Sequence, residues 1–120
     1  MCDDMKEVTL KIKHYFDAAH KLNDYEGKCA NIHGHRWHVT VFARGIPNNN
    51  GMLIDFTKVK GIIDELDHKY LNDLVDFNPT AENLAIYLLN KFEKIDPQID
   101  FKVRLWESPT CSVEVSNTDF

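Results

Sequence analysis

Two stretches of this chain alternate apolar and polar side chains with a period of two, and a strand of that kind buries only one of its faces. Val8, Leu10, Ile12, His14 and Phe16 alternate with Thr9, Lys11, Lys13 and Tyr15. The same parity carried forward brings Ala18 and His20 to the inward side. A loop over residues 22–31 follows, and a second alternation sets Trp37, Val39, Val41 and Ala43 against Arg36, His38, Thr40 and Arg44. It stops at Gly45 and the turn Pro47-Asn48-Asn49-Asn50-Gly51, a cluster of strand breakers. Ile99, Phe101, Val103 and Leu105 alternate again, and a short strand over residues 112–115 follows a turn at Pro109-Thr110. One-faced strands need a cover, and the middle of the chain supplies it.

Asp55 is placed to cap a helix whose apolar stripe is Phe56, Val59, Ile62, Ile63 and Leu66. Thr80, after Asn78-Pro79, caps a second, with Leu84, Ala85, Leu88, Phe92 and Ile95 on its buried side and Asp96-Pro97 at its end. The order β-β-α-α-β-β predicts an α+β fold, an antiparallel sheet with both helices on one face. A chain of 120 residues fits one domain spanning residues 1–120. With 43% hydrophobic and 28% charged residues its composition is globular, and no apolar run is long enough to span a bilayer. A net charge of −5 without a basic block argues against nucleic acid as a partner. Residues 1–13 hold no apolar segment of the secretory kind, and three widely spaced cysteines make no disulfide framework, so a reduced cytoplasmic protein is expected.

Four titratable residues occupy positions where the pattern asks for an apolar side chain. His20 extends the inward face of the first strand, His33 and His35 extend that of the second, and Glu107 that of the third. On a strand, residues i and i+2 point the same way, so the imidazoles of His33-Gly34-His35 can meet one metal ion. Gly34 between them permits an irregular backbone or the close approach of another chain. An antiparallel neighbour places His20 at the same end, and three histidines without a fourth protein ligand form the open arrangement of catalytic zinc. Cys29, four residues before His33, either closes such a site as a fourth ligand or serves as a thiolate base or nucleophile. A set of plain core histidines is the other reading. Asp67-His68 reads as a pair at a helix end or as a carboxylate orienting an imidazole for proton transfer. Two residues on a helix turn about 200°, so His68 would point away from the stripe of Leu66; either the helix ends there or the imidazole faces another subunit. His14 is expected to pack, His38 points to the opposite face, and Cys111 is expected to be structural.

Taken together, Phe16-Asp17-Ala18-Ala19-His20, Cys29-x₃-His33-Gly34-His35, Gly51-Met52-Leu53-Ile54-Asp55-Phe56, Leu66-Asp67-His68-x-x-Leu71-Asn72, Pro79-Thr80-x-Glu82-Asn83 and Glu107-Ser108 resemble the 6-pyruvoyl-tetrahydropterin synthase and 6-carboxytetrahydropterin synthase family. The resemblance runs over about residues 8–115. It implies a tunnelling fold (T-fold), four antiparallel strands with two helices on one side, whose copies join edge to edge into trimers or dimers of trimers with interfacial active sites. By position it implies zinc ligands at His20, His33 and His35, a general base at Cys29, a proton relay at Asp67 and His68, and a pterin anchor at Glu107. The implied substrate is 7,8-dihydroneopterin triphosphate, with Lys21, Lys28 and Arg36 as candidate partners of its phosphates. Three residues between the cysteine and His33 resemble the carboxy-forming branch of queuosine biosynthesis, where pyruvoyl-forming members carry five. Glu26 lies too far upstream for the folate-pathway variant in which glutamate replaces the cysteine. The alternatives are the pyruvoyl-forming synthase and a closed structural zinc module.

Overall fold

The first two strands run antiparallel along their whole length. In the computed structural model, which describes residues 6–23, 26–27 and 30–120, β1 (Val8–His20) pairs with β2 (His33–Gly45) from Val8↔Gly45 to His20↔His33. The parity read from the sequence holds along both. Ile12, Phe16, Ala18 and His20 are buried on β1, and Trp37, Val39, Val41 and Ala43 on β2. β4 (Asp100–Ser108) pairs antiparallel with β2, and β5 (Cys111–Ser116) pairs with β4. Phe101, Val103 and Leu105 continue the same buried face.

Helices α1 (Phe56–Asp64) and α3 (Ala81–Glu93) cover that face. Asp55 caps α1 as expected, its Oδ1 accepting from the Thr57 amide at 2.9 Å and the Thr57 hydroxyl at 2.7 Å. Thr80 caps α3 by accepting from the Asn83 amide at 3.1 Å. Glu82 in its first turn and Lys91 in its last both oppose the helix dipole. Leu84, Ala85, Leu88, Leu89 and Phe92 pack onto the sheet, where Phe92 meets the Phe101 ring at 5.9 Å. Phe16 and Trp37 stack nearly parallel at 5.7 Å under the end of the sheet that carries the histidines.

The fold class is the expected α+β, with four departures in detail. The sheet has five strands, in the order β3-β1-β2-β4-β5, because β3 (Lys69–Tyr70) runs parallel beside Ala18 and Ala19. A single-turn helix, α2 (Leu71–Leu74), follows it, making three helices among the described residues rather than two. Phe56, expected on the buried stripe, is 50% exposed, since it opens α1 one turn ahead of Val59, the helix's first buried residue. Thr40, assigned to the open face, is nevertheless buried, flanked by Lys13 and Arg104 on the neighbouring strands.

Candidate metal centre and proton-relay loop

The register of β1 on β2 assembles the histidine cluster. His20, the last residue of β1, faces His33, the first of β2, and His35 sits two residues along the same face. One ring nitrogen from each of the three lies within 4.8 Å of those of the others. The ring centroids are 4.5 Å apart for His20–His33, 4.8 Å for His33–His35 and 5.3 Å for His20–His35. Trp37 forms the floor, edge-on to His20 at 5.0 Å and to His35 at 5.5 Å.

Two of the rings have one nitrogen committed to the protein. His20 Nδ1 donates to the Pro79 carbonyl at 2.7 Å and His33 Nδ1 to the Asn31 carbonyl at 2.7 Å. These bonds set the tautomer that leaves Nε2 unprotonated, the form that binds a cation. His20 Nε2 and His35 Nε2 are buried and without a hydrogen-bond partner. Burial holds both groups below the usual histidine pKa, more strongly than the Glu107 carboxylate raises them. Neutral imidazoles with orphaned nitrogens turned toward one another fit a metal ion of zinc's ligand preference.

Glu107 sits where β4 and β5 lose register, between Trp106 and Ser108. Its carboxylate reaches to 3.5 Å from His20 Nε2. The side chain is 30% exposed rather than fully buried, because it opens into a cavity of about 550 Å³ that Asn23, Asn78, Thr80, Glu82 and Cys111 also line. Cys111 is exposed there, against the expectation of a structural thiol: it opens the edge strand β5 on its solvent side.

Asp67 and His68 lie beyond the end of α1, in the turn that leads to β3. The helix stops at Asp64, which frees His68 from helical geometry. The turn is fastened to both backbone groups of Asp17. Asp67 Oδ1 accepts the Asp17 amide at 2.8 Å, and the His68 amide donates to the Asp17 carbonyl at 2.6 Å. His68 carries φ = 57°, left-handed backbone that a side chain rarely adopts. Its Nδ1 lies 2.9 Å from Asp67 Oδ2, and the imidazole is 79% exposed. The Asp17 amide, with help from His68, holds the Asp67 carboxyl below the ordinary carboxylate range. His68 borders a second concavity, of about 460 Å³, together with Asp17, Ala19, Gly34, His35 and Arg36. His35 thus belongs to the histidine cluster and borders the concavity beside His68 as well. Gly34 continues the regular ladder opposite Ala19, and a Cβ there would make only an ordinary contact, at 3.9 Å from the Ala18 carbonyl.

Cys29 and Lys28 lie outside the described residues. Arg36 is not a free cation: it forks onto Asp17 at 2.9 and 3.1 Å. His14, expected to pack, bonds Asp64 of α1 at 2.7 Å instead, being only partly covered. Sequence reasoning passed over the asparagines that hold the segment after His20. Asn72 brackets the backbone of Lys21 with two bonds of 2.8 Å, Asn78 accepts from the Asn23 amide at 2.9 Å, and Asn83 donates to the Asn78 carbonyl at 2.9 Å. Their signal was the placing of Asn72 and Asn83 inside the quoted motifs.

A protein-family model described as 6-pyruvoyl tetrahydropterin synthase matches residues 9–118. The 6-carboxy-5,6,7,8-tetrahydropterin synthase of Haemophilus influenzae is 32% identical over 130 aligned positions, covering 82% of this chain and 92% of that protein. The dihydroneopterin monophosphate aldolase of Pyrococcus furiosus is 37% identical over 109 positions, covering 83% and 90%. Among solved structures, the Caenorhabditis elegans 6-pyruvoyl tetrahydropterin synthase superposes with a TM-score of 0.79 at 29% identity, over 95% of this chain and 98% of that one.

Proposed function

Because this chain belongs to the 6-pyruvoyl tetrahydropterin synthase family, we propose that it is a zinc-dependent lyase making 6-carboxy-5,6,7,8-tetrahydropterin from 7,8-dihydroneopterin triphosphate. Acetaldehyde and triphosphate leave, and one water is consumed. The observation that carries this reading is the cluster of His20, His33 and His35, with two buried, unpartnered Nε2 atoms, inside a chain whose Cys29-x₃-His33 spacing resembles the carboxy-forming branch.

His20, His33 and His35 would hold the ion, which when bound supplies Lewis acidity toward the hydroxyls of the substrate side chain. Glu107, at the mouth of its cavity, accepts N–H donors from the aminopyrimidinone edge and so selects and orients the pterin. Cys29, as a thiolate, takes the proton from the side-chain carbon beside the ring. His68, oriented by Asp67, moves a second proton at Nε2, the nitrogen left free by the Nδ1 bond. Glu107 and His68 line different concavities of one subunit, with His35 on the same one as His68, which suits a site completed between copies. The sheet leaves two edges for such pairing: β5, and the outer edge of β1 ahead of the two residues that β3 covers. The product would serve 7-deazaguanine (queuosine) biosynthesis in the cytoplasm; among the described residues no helix is long and apolar enough to cross a membrane.

Zinc-loaded protein incubated with 7,8-dihydroneopterin triphosphate tests the reading, with acetaldehyde and the pterin product assayed together. Both products support it. A 6-pyruvoyl product without acetaldehyde moves the chain to the sister activity. The 37% identity to an aldolase favours one further reading, cleavage of dihydroneopterin monophosphate, and turnover of that substrate in preference to the triphosphate would establish it.

A further inference from the structure

Asp17 is the residue on which the relay loop rests, and its side chain poses a problem for that loop. Its amide and carbonyl carry Asp67 and His68, so its carboxylate stands beside theirs. The Arg36 hydrogen bond chiefly holds the Asp17 carboxyl below the ordinary carboxylate range, with Asp67 raising it and His68 lowering it to a smaller extent. A second, unpaired carboxylate on the residue that fastens this turn would compete with Asp67 for the His68 imidazole. Across the ladder, directly opposite Asp17, stands Arg36. The guanidinium binds both carboxylate oxygens, Nε to Oδ1 at 2.9 Å and Nη2 to Oδ2 at 3.1 Å. Its central carbon also sits over the Tyr15 ring, 4.5 Å from the ring centre, so its place is held from two sides.

We infer that Asp17 and Arg36 are a positioning pair for the Asp67–His68 dyad: Arg36 occupies the Asp17 carboxylate, leaving Asp67 as the imidazole's sole acidic partner. Asp17 is retained next to the dyad because its backbone and side chain do separate jobs. The backbone fastens the strained turn, and the carboxylate anchors the arginine that quiets it. Arg36 touches no reacting atom in this role. The inference rests on the relay assigned to Asp67 and His68 above.

The experiment compares Arg36→Gln, Arg36→Lys, Asp17→Asn and the double variant Asp17→Asn/Arg36→Gln in steady-state kinetics and in ¹⁵N spectra of the His68 ring. Arg36→Gln exposes an unpaired carboxylate, and kcat falls by about tenfold, the scale of coupling between contacting charged residues; KM and zinc content stay at wild-type levels. Arg36→Lys, which keeps the charge but loses the fork, falls between. The double variant, with both charges gone, recovers most of the lost kcat. In the ring spectra the wild type shows a single Nδ1–H form, and Arg36→Gln shows a mixture of forms. A rise in KM at unchanged kcat would overturn the inference and make Arg36 a substrate-phosphate contact. So would a double variant no better than Arg36→Gln alone. If His68→Ala kept full turnover, the relay itself would fail, while the ¹⁵N spectra would still report whether Arg36 sets the imidazole's partner.

Discussion

Zinc should stabilise this fold by an amount that the orphaned nitrogens make measurable. His20 is fully buried, and its Nε2, like that of His35, has no hydrogen-bond partner. A buried polar atom left unmatched costs about 1–3 kcal/mol, so the metal-free fold carries that cost twice over. A ligand that binds only the folded state at a hundredfold excess over its Kd adds about 2.7 kcal/mol. For a domain of this size each kcal/mol moves the thermal midpoint by roughly 3–6 °C, so zinc should raise it by about 8–16 °C. The assay is thermal unfolding of chelator-stripped protein with and without zinc, at a hundredfold excess over the Kd measured by calorimetry. His33→Ala is the matched variant, because His33 is only half-buried and its loss leaves the metal-free fold within about 1 kcal/mol of wild type. It should lose the zinc shift. A zinc shift in His33→Ala equal to that of the wild type would refute the three-histidine assignment. A wild type whose midpoint zinc left unmoved would refute the argument from unmatched nitrogens.

Other expectations follow from the same geometry. Metal-free protein should lose stability on acidification: His20 and His35 have lowered pKa values when folded, so below the ordinary histidine pKa of about 6.5 the unfolded chain takes up protons that the folded chain refuses. Urea titrations between pH 7.5 and 5.5 read this, and stability rising toward pH 5.5 would contradict it. His68→Gly should abolish turnover yet leave the unfolding free energy within about 1 kcal/mol of wild type, because glycine accepts φ = 57° and offsets its own chain entropy; denaturant midpoints beside kcat test the pairing. Phe92→Ala, in the core against Phe101, should cost about 3–5 kcal/mol, whereas Phe56→Ser, half exposed at the start of α1, should cost under about 1 kcal/mol.

Much of the centre was legible because strand parity is a strict rule. Counting by two from Phe16 reached His20, and counting back from Trp37 reached His35 and His33; the register then brought the three together. What parity cannot express stayed hidden. Lys69 and Tyr70 are two residues long as a strand and have no period to read. The Asp17–Arg36 fork joins residues nineteen apart in sequence, and only the pairing of the strands makes them opposite. Glu107 kept the parity of Leu105, but the irregularity between Trp106 and Ser108 opened it to a cavity. The end of α1 at Asp64 resolved the orientation of His68, which helical counting alone had left with two answers.

The pairing of His20 with His33 at the very end of the ladder ties the histidine cluster to how the two strands were assembled. Sliding β1 against β2 by a single residue would swing its alternate side chains to the opposite side of the sheet, His20 among them. A chain joined one step out of phase could still form most of its backbone hydrogen bonds, yet it would bring only two of the three imidazoles to one face. Under the proposed metal assignment, retention of an ion would therefore report on the register of the longest pairing in the molecule.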